Sequence, residues 1–524
     1  MAFPQVTINQ TGGASGRPSP GNDYISGIMF YGTAPSSVGF PFNTYTGTPS
    51  IKARQLFSDV DATNAGIVPY TDNTAATGII ALTKGSTGDT ITIKVTVPTQ
   101  NGGTTVVNLG TYTQVSGDST DSAFATSVKN FINAGTLVHG FSATSSVANL
   151  TLIAPKSCGV SLNGTTSIAN TIVGTITATI TTQLGGTVAG TASNYASWFY
   201  QISEFFRVYG TGASLWVGII TATSGFNEIV TLQNASGGTI KQMAIFDNVQ
   251  SAADGSTITT RIASINTIAK TLSQTAPFIV EYAPNLVLYT DISTLPDQNL
   301  NTANTVRTVI SQDGLAKGAL LFVTCGYSVQ NLGAKLATTA LCRISGSDAQ
   351  PVPQFDISDG TENNTPALAN GKLNSIISPS LLLQLNNYNY TFNVTFPESV
   401  VGTYWNDNRM CISNSSDYAY ENDNRVYQKA SRLCRQACIP LISSELIFNA
   451  DGTLSTGSIM VFQNAITENV TAGMITGFGS MPLISGVSVS IDPKQNVKAT
   501  SNINIVVTIN ENGIARYITI SLGF

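Results

Sequence analysis

The sequence predicts a multidomain α+β protein. It reads as an α/β core built of βαβ units, a small β-rich domain inserted into that core, and an α/β C-terminal domain with extended β-strand arms at the termini. Three observations carry this. Strand-like and helix-like segments alternate between Asn194 and Ser345, as in a mainly parallel sheet covered on both faces. Period-two alternation dominates Thr74 to Gly190. Both ends alternate as well: Val6 and Ile8 against Gln5, Thr7 and Asn9, and Ile518, Ile520, Leu522 and Phe524 against Tyr517, Thr519, Ser521 and Gly523. A terminal strand with an apolar face needs a sheet to join, in its own subunit or a neighbour's, because ordinary ends fray.

Taken in order, residues 1–21 read as an N-terminal arm and tether, since Thr11 to Gly21 is rich in Gly, Ser and Pro. Residues 22–73 begin the core without strong periodicity. In the inserted 74–190 module, Ile91, Ile93, Val95 and Val97 alternate with polar residues, and strands are expected at Val106 to Leu109, Leu150 to Ile153 and Ile176 to Ile180. Phe124, Val128 and Ile132, spaced by four, predict one helix there.

Residues 191–350 carry the βαβ pattern. Trp198, Ile202, Phe205 and Tyr209 share a helical face, and Leu215 to Ile220 reads as a strand. The apolar run Lys241 to Phe246 follows, then a helix through Ile262, Ile265, Ala269 and Leu272, then a strand at Phe278 to Val280. A helix is expected from Thr302 to Ile310, a strand from Ala319 to Thr324, and a helix through Val329, Leu332, Leu336 and Ala340. Residues 351–500 form the C-terminal domain, opening on a link rich in Pro, Asp and Asn. Its long helix carries Val426, Ala430, Leu433 and Ala437 and stops at Pro440. Residues 501–524 read as a hairpin and arm, with a strand through Ile503, Ile505, Val507 and Ile509 and a turn at Asn512-Gly513 before the terminal strand.

At 524 residues the chain is too long for one core, and an apolar content of 42% can fill several. Only 10% of residues are charged, against roughly 25% in an average soluble domain, so Thr, Ser, Asn and Gly supply the polarity. A net charge of -5 without a basic run argues against nucleic acid as a partner. The start lacks a secretory pattern, and no stretch has the length of a transmembrane helix, so folding in a cytosol and no direct membrane insertion are expected.

Catalytic chemistry has little to draw on. His139 is the single histidine, which leaves a Ser-His-Asp triad, a Cys-His pair or a His-rich zinc site without material, and a packed role is the favoured reading of it. There is no G-x-S-x-G elbow, no phosphate loop around Gly371-Lys372 and no G-x-G-x-x-G after a strand. Neither an enzyme nor a cofactor is expected. Cys434 and Cys438 sit one turn apart, with Cys411 as a conceivable third metal ligand, but core thiols are the favoured reading over zinc. Asn-Asp-Asn-Arg occurs at Asn406 to Arg409 and again at Asn422 to Arg425. Its oxygens suit a cation, yet the spacing lacks the EF-hand glycine and glutamate, and a turn or helix N-cap is the plainer reading. Arg425, Lys429, Arg432 and Arg435 place positive charge on one helix: a solvated face, or alternatively a subunit contact.

The segment Gly402-Thr403-Tyr404-Trp405-Asn406-Asp407-Asn408-Arg409, followed by Asn424-Arg425-Val426-Tyr427-Gln428-Lys429-Ala430, a helix, strands, Asp451-Gly452-Thr453 and a closing hairpin, resembles the C-terminal domain of contractile-tail sheath proteins. The resemblance is to the divergent branch in phages of Bacteroidetes-type hosts. It spans 194–524, is weak over the first 70 residues and treats 74–190 as a variable insertion. It implies a subunit of a helical stack of rings in a virion tail, assembled in the host cytoplasm around an inner tail tube, with baseplate and tail terminator proteins as further partners. It implies that Val6, Thr7 and Ile8, with Ile518, Ile520, Leu522 and Phe524, are the interface residues of arms that add strands to sheets of neighbouring subunits. The alternatives are a static capsid, tube or surface-array protein, and a protein whose 74–190 module binds a host surface.

Overall fold

The protein is described from a computed structural model, which covers residues 23–98, 104–164, 167–247, 255–272, 278–284, 293, 295–298, 305–313, 331–359, 363–396, 400–476 and 481–516. It is a mixed α/β molecule with several sheets.

The central sheet has eight strands, in the order Tyr390–Thr391, Val306–Val309, Ile279–Pro284, Gln242–Asp247, Ser26–Tyr31, Leu215–Ile220, Ile51–Leu56 and Asn43–Tyr45. The first six run parallel, and the last two join antiparallel at one edge. Ser26–Tyr31 lies in the middle and is wholly buried, Ile28 and Phe30 facing one layer and Met29 and Tyr31 the other. A strand buried on both faces has no polar side to alternate, which is why periodicity does not reveal it. The helices Asn194–Tyr209 and Leu332–Leu341 cover one face. The helices Glu228–Ala235 and Gly255–Thr271 cover the other. Gly333 lets the first pair cross closely: its backbone N donates to Gln201 Oε1 at 2.7 Å, and a Cβ there would lie 1.9 Å from the Gln201 carbonyl oxygen.

One expected helix is corrected. Within Thr302 to Ile310 the structure forms the parallel strand Val306–Val309, paired with Ile279–Pro284. Val306, Val309 and Ile310 imitate helical spacing, but the stretch is short and β-branched, and burial between two layers decides for the strand. The expected strand at Ala319 to Thr324, and Val329, lie outside the described residues.

Residues from Ala76 to Leu184 contribute a core of their own. The antiparallel sheet Thr177–Thr182, Thr77–Thr83, Asn149–Ile153, Ser142–Ser146 packs with the sheet Thr104–Thr113, Thr90–Pro98, Ile168–Val173 and with the helix Asp121–Ala134. The chain enters and leaves at one point, where Thr191 N donates to Thr74 O at 3.0 Å.

In the last third, the helices Glu421–Cys438 and Thr456–Met474 pack with the two-stranded antiparallel sheet Ile484–Ser490 and Val506–Glu511 through Val426, Ala430, Leu433, Ile466, Val470, Ile484 and Ile509. Ile503 and Ile505 precede that second strand rather than forming part of it.

Candidate functional site: a helix that anchors Asp23 and Arg516

The arm residues Val6, Thr7, Ile8, Ile518, Ile520, Leu522 and Phe524 lie outside the described residues. Asp23 and Arg516, the described residues nearest to them, are both held by the Glu421–Cys438 helix.

That helix is well specified locally. Glu421 and Asp423 in its first turn and Arg435 in its last suit the macrodipole, and Pro440 sits in the short 3₁₀ turn that follows. Val426, Ala430 and Leu433 face the C-terminal core. Arg425, Lys429 and Arg432 recur at the same spacing on another stripe, and this is not a solvated face: Arg425 and Lys429 are buried, and Arg432 is 15% exposed. Lys429 Nζ pairs with the Asp23 carboxylate, and Arg432 Nη2 lies 3.5 Å from the other Asp23 oxygen. Arg425 Nη1 lies 3.4 Å from Glu421. Burial pulls the Arg432 guanidinium down to about 10, with Asp23 opposing and Arg425 reinforcing the shift.

The start of the helix reaches the central sheet through charge. Arg307, fully buried on the strand Val306–Val309, bonds Glu281 at 3.1 Å, Asp348 at 3.2 Å and Glu421. Lys335 pairs with Asp348, and the Thr339 hydroxyl lies 3.0 Å from both Glu281 and Asp348. Burial pushes Glu421 up to about 7 against the pull of Arg307. Burial also works against Asp348, but Lys335 and Arg307 hold it below the usual carboxylate range. Such buried networks fix geometry more than they add stability, because desolvation offsets most of the attraction.

The two Asn-Asp-Asn-Arg repeats meet here. Asn408 Nδ2 donates to Asn422 Oδ1 at 3.1 Å, and Arg516 Nη2 donates to Asn408 Oδ1 and Asn422 Oδ1, each at 2.9 Å. The Arg516 guanidinium stacks 3.3 Å from the Tyr420 ring, and its Nε lies 3.6 Å from Asp407. The expected N-cap is corrected: the cap position is Tyr420, and Asn422 to Arg425 occupy the helix itself. Asp423, beside Asn422, is pushed up to about 7 by burial and by Glu511, against the pull of Arg516.

His139 is buried in the inserted unit, where its Nδ1 accepts from Phe141 N at 3.2 Å, and burial lowers its pKa. Cys411 sits in the central core beside Thr308, whereas Cys434 and Cys438 pack in the C-terminal core. Among the described residues, no cluster of three His, Cys, Asp or Glu side chains suits a metal, and no helix is long and apolar enough to cross a membrane. Sequence reasoning singled out Arg425, Lys429 and Arg432 but missed Asp23 and Arg516, whose partners are remote in sequence.

The family model described as DUF2586, C-terminal domain, matches residues 417–524, the part containing this helix and Arg516. Comparison with curated proteins gives no match. Among solved structures, the helical sheath of the anti-feeding prophage in its contracted state is similar at 12% identity and a TM-score of 0.43, over 64% of this chain and 84% of that one.

Proposed function

We propose that this chain is the structural subunit of a contractile tail sheath, which polymerises helically around an inner tube through donated terminal β-strands and contracts to drive the tube through a cell envelope. The observation that carries this reading is that one helix holds both Asp23 and Arg516, the described residues nearest the two alternating terminal segments. Holding Asp23 and Arg516 on one rigid element fixes the two points from which the terminal segments leave the body, as a rigid-body transition between two sets of contacts requires.

A recipient for a donated strand is also at hand. Among the described residues, Ile484–Ser490 and Val506–Glu511 pair only with each other. A two-stranded ribbon is marginal alone and offers edges to an added strand. Contacts between unlike surfaces of identical subunits extend into a helix. In this reading the chain is a mechanical element of a virion tail and not an enzyme, with other copies of itself, the tube, the baseplate and the terminator protein as partners. Neither nucleic acid nor a membrane is bound.

Deletion of 1–15 or of 517–524, which leaves the strand Val506–Glu511 and Arg516 in place, tests it. Loss of tube assembly by both truncated chains is expected, and assembly unchanged in both would rule out arm donation. Electron microscopy of wild-type assemblies should show tubes of two diameters; one fixed lattice would favour a static shell or tube instead.

A further inference from the structure

We propose that Lys335 and Asp348 are the reactants of a self-catalysed cross-link, an amide between Lys335 Nζ and Asp348 Cγ, with Glu421 as the catalytic residue. Both side chains are fully buried, and Nζ is in direct contact with Asp348 Oδ2. Because Oδ2 is bonded to Cγ, that contact already brings the nucleophile close to the carbon it must attack. The ion pair described above is the state of the chain before this step.

The surroundings supply what the reaction needs. Arg307 Nη2 lies 3.2 Å from Oδ2 and the Thr339 hydroxyl 3.0 Å from it. Both can donate to Oδ2 and hold the charge that builds there as nitrogen adds. Oδ1 is buried and receives no bond from a nitrogen or a hydroxyl, so it is the oxygen able to leave. The Glu421 carboxyl bonds Asp348, which one carboxyl does to another only when one of them holds a proton. That proton sits on Glu421, since burial raises it to about 7 while Lys335 and Arg307 keep Asp348 ionised. Arg307 bonds both carboxyls and so keeps them face to face. The Trp405 ring, fully buried and 5.2 Å from Nζ, helps to close the site to water.

The step balances. One ammonium proton passes to the Asp348 carboxylate, leaving a neutral amine against a carboxylic acid. Nζ adds to Cγ and the C–N bond forms. Glu421 gives its proton to the Oδ1 hydroxyl and takes one back from nitrogen, the C–Oδ1 bond breaks, and one water leaves. In water this condensation is opposed by the hydration of both ions. Here that hydration is already lost, and the product buries neither charge. Arg307 and Arg425 then remain with Glu281 at 3.1 Å and Glu421 at 3.4 Å. The link ties the helix Leu332–Leu341 to the turn that carries Asp348, and it needs the Glu421–Cys438 helix in place. It does not depend on the chain being a sheath subunit.

The test is the mass of the purified full-length chain under denaturing conditions, followed by tryptic digestion. The mass should fall short of the sequence value by one water. Arg343 lies between the two residues, so trypsin should release 318–343 and 344–372 as one branched peptide, uncut at Lys335. In Lys335→Arg and Glu421→Gln the water should be retained and the two peptides should separate. Arg307→Met, which no longer holds Glu421 against Asp348, should likewise stay unlinked. Separate peptides from the wild-type chain would overturn the proposal, as would a branched peptide that persists in Lys335→Arg. One that persists in Glu421→Gln would overturn the role of Glu421. The wild-type digest decides the matter even where a variant fails to fold.

Discussion

Asp23 and Lys429 are separated by 406 positions of sequence and form one ion pair. Arg432, less than one turn further along the same helix, approaches the second Asp23 oxygen at 3.5 Å. The other end of the helix holds Arg516 through Asn422. A segment that on sequence grounds resembled a solvated charged face is thus the element on which the first and last described parts of the chain converge.

Lys429→Met should lower stability by about 1–3 kcal/mol, below the usual cost of breaking a buried pair because Asp23 keeps 21% exposure. Chemical denaturation measures this. Hydrogen exchange should quicken at Tyr24 to Ser26. In the double variant Asp23→Asn/Lys429→Met the cost should be less than the sum of the two single losses, since the second change removes a group that has already lost this partner. Additive costs would mean that the pair is incidental.

Arg307→Met should be more severe, at about 3–5 kcal/mol, because it leaves Glu281, Asp348 and Glu421 with only the Lys335 charge and the 3.4 Å approach of Arg425, and no guanidinium bridging all three. A loss under about 1 kcal/mol in denaturant melts would show that the network is replaceable by packing alone.

The pH dependence follows from Asp423. Its carboxyl is raised to about 7 in the folded chain, against about 3.9 when unfolded. Between these values the native state holds a proton that the unfolded state has lost, so stability falls as pH rises through this window and is fully present below it. Glu421 acts in the same sense and Asp348 in the opposite one. The comparison with Asp423→Asn isolates one group: the variant should be flatter and should gain about 2–5 °C in Tm at pH 8 relative to wild type. Parallel Tm curves for the two proteins would contradict the assignment.

The parts legible in the sequence are those whose pattern is local. The helix Asn194–Tyr209 and the strand Thr90–Pro98 announce themselves through Trp198, Ile202 and Phe205, and through Ile91, Ile93, Val95 and Val97. Ser26–Tyr31 is not legible, since burial on both faces erases its period, and Val306–Val309 mimics a helix. The candidate site was half visible. The cations at Arg425, Lys429 and Arg432 could be seen as a stripe, but Lys429 and Arg432 pair with Asp23, which no local pattern connects to them.

Gly333→Ala tests how tightly the sheet's helical layer is packed. The added Cβ would lie 1.9 Å from a backbone oxygen of Gln201, not from the end of a flexible side chain, so the two helices must move apart. That shift would also stretch the 2.7 Å bond from Gly333 N to Gln201 Oε1. A loss of about 2–4 kcal/mol is expected in denaturant melts, and a neutral result would mean that the Asn194–Tyr209 and Leu332–Leu341 helices are free to separate.

The inserted unit should be removable. Its core, from Ala76 to Leu184, is its own. The chain crosses into it where Thr74 and Thr191 are already hydrogen bonded, Thr191 N to Thr74 O at 3.0 Å and Thr74 N to Thr191 Oγ1 at 2.8 Å. Asn73 Nδ2 adds bonds to Lys156 O at 2.7 Å and Thr191 O at 3.1 Å. Joining Thr74 to Thr191 through two glycines therefore closes a gap that the fold already closes, and loop-closure entropy adds little. The shortened chain should unfold cooperatively with Tm within about 5 °C of the parent. The excised 74–191 segment should show β-rich circular dichroism and a melt of its own, because its strands and the helix Asp121–Ala134 bury one another. If the shortened chain cannot fold while the segment can, the body depends on contacts from the insertion; if neither folds, the two form one cooperative unit.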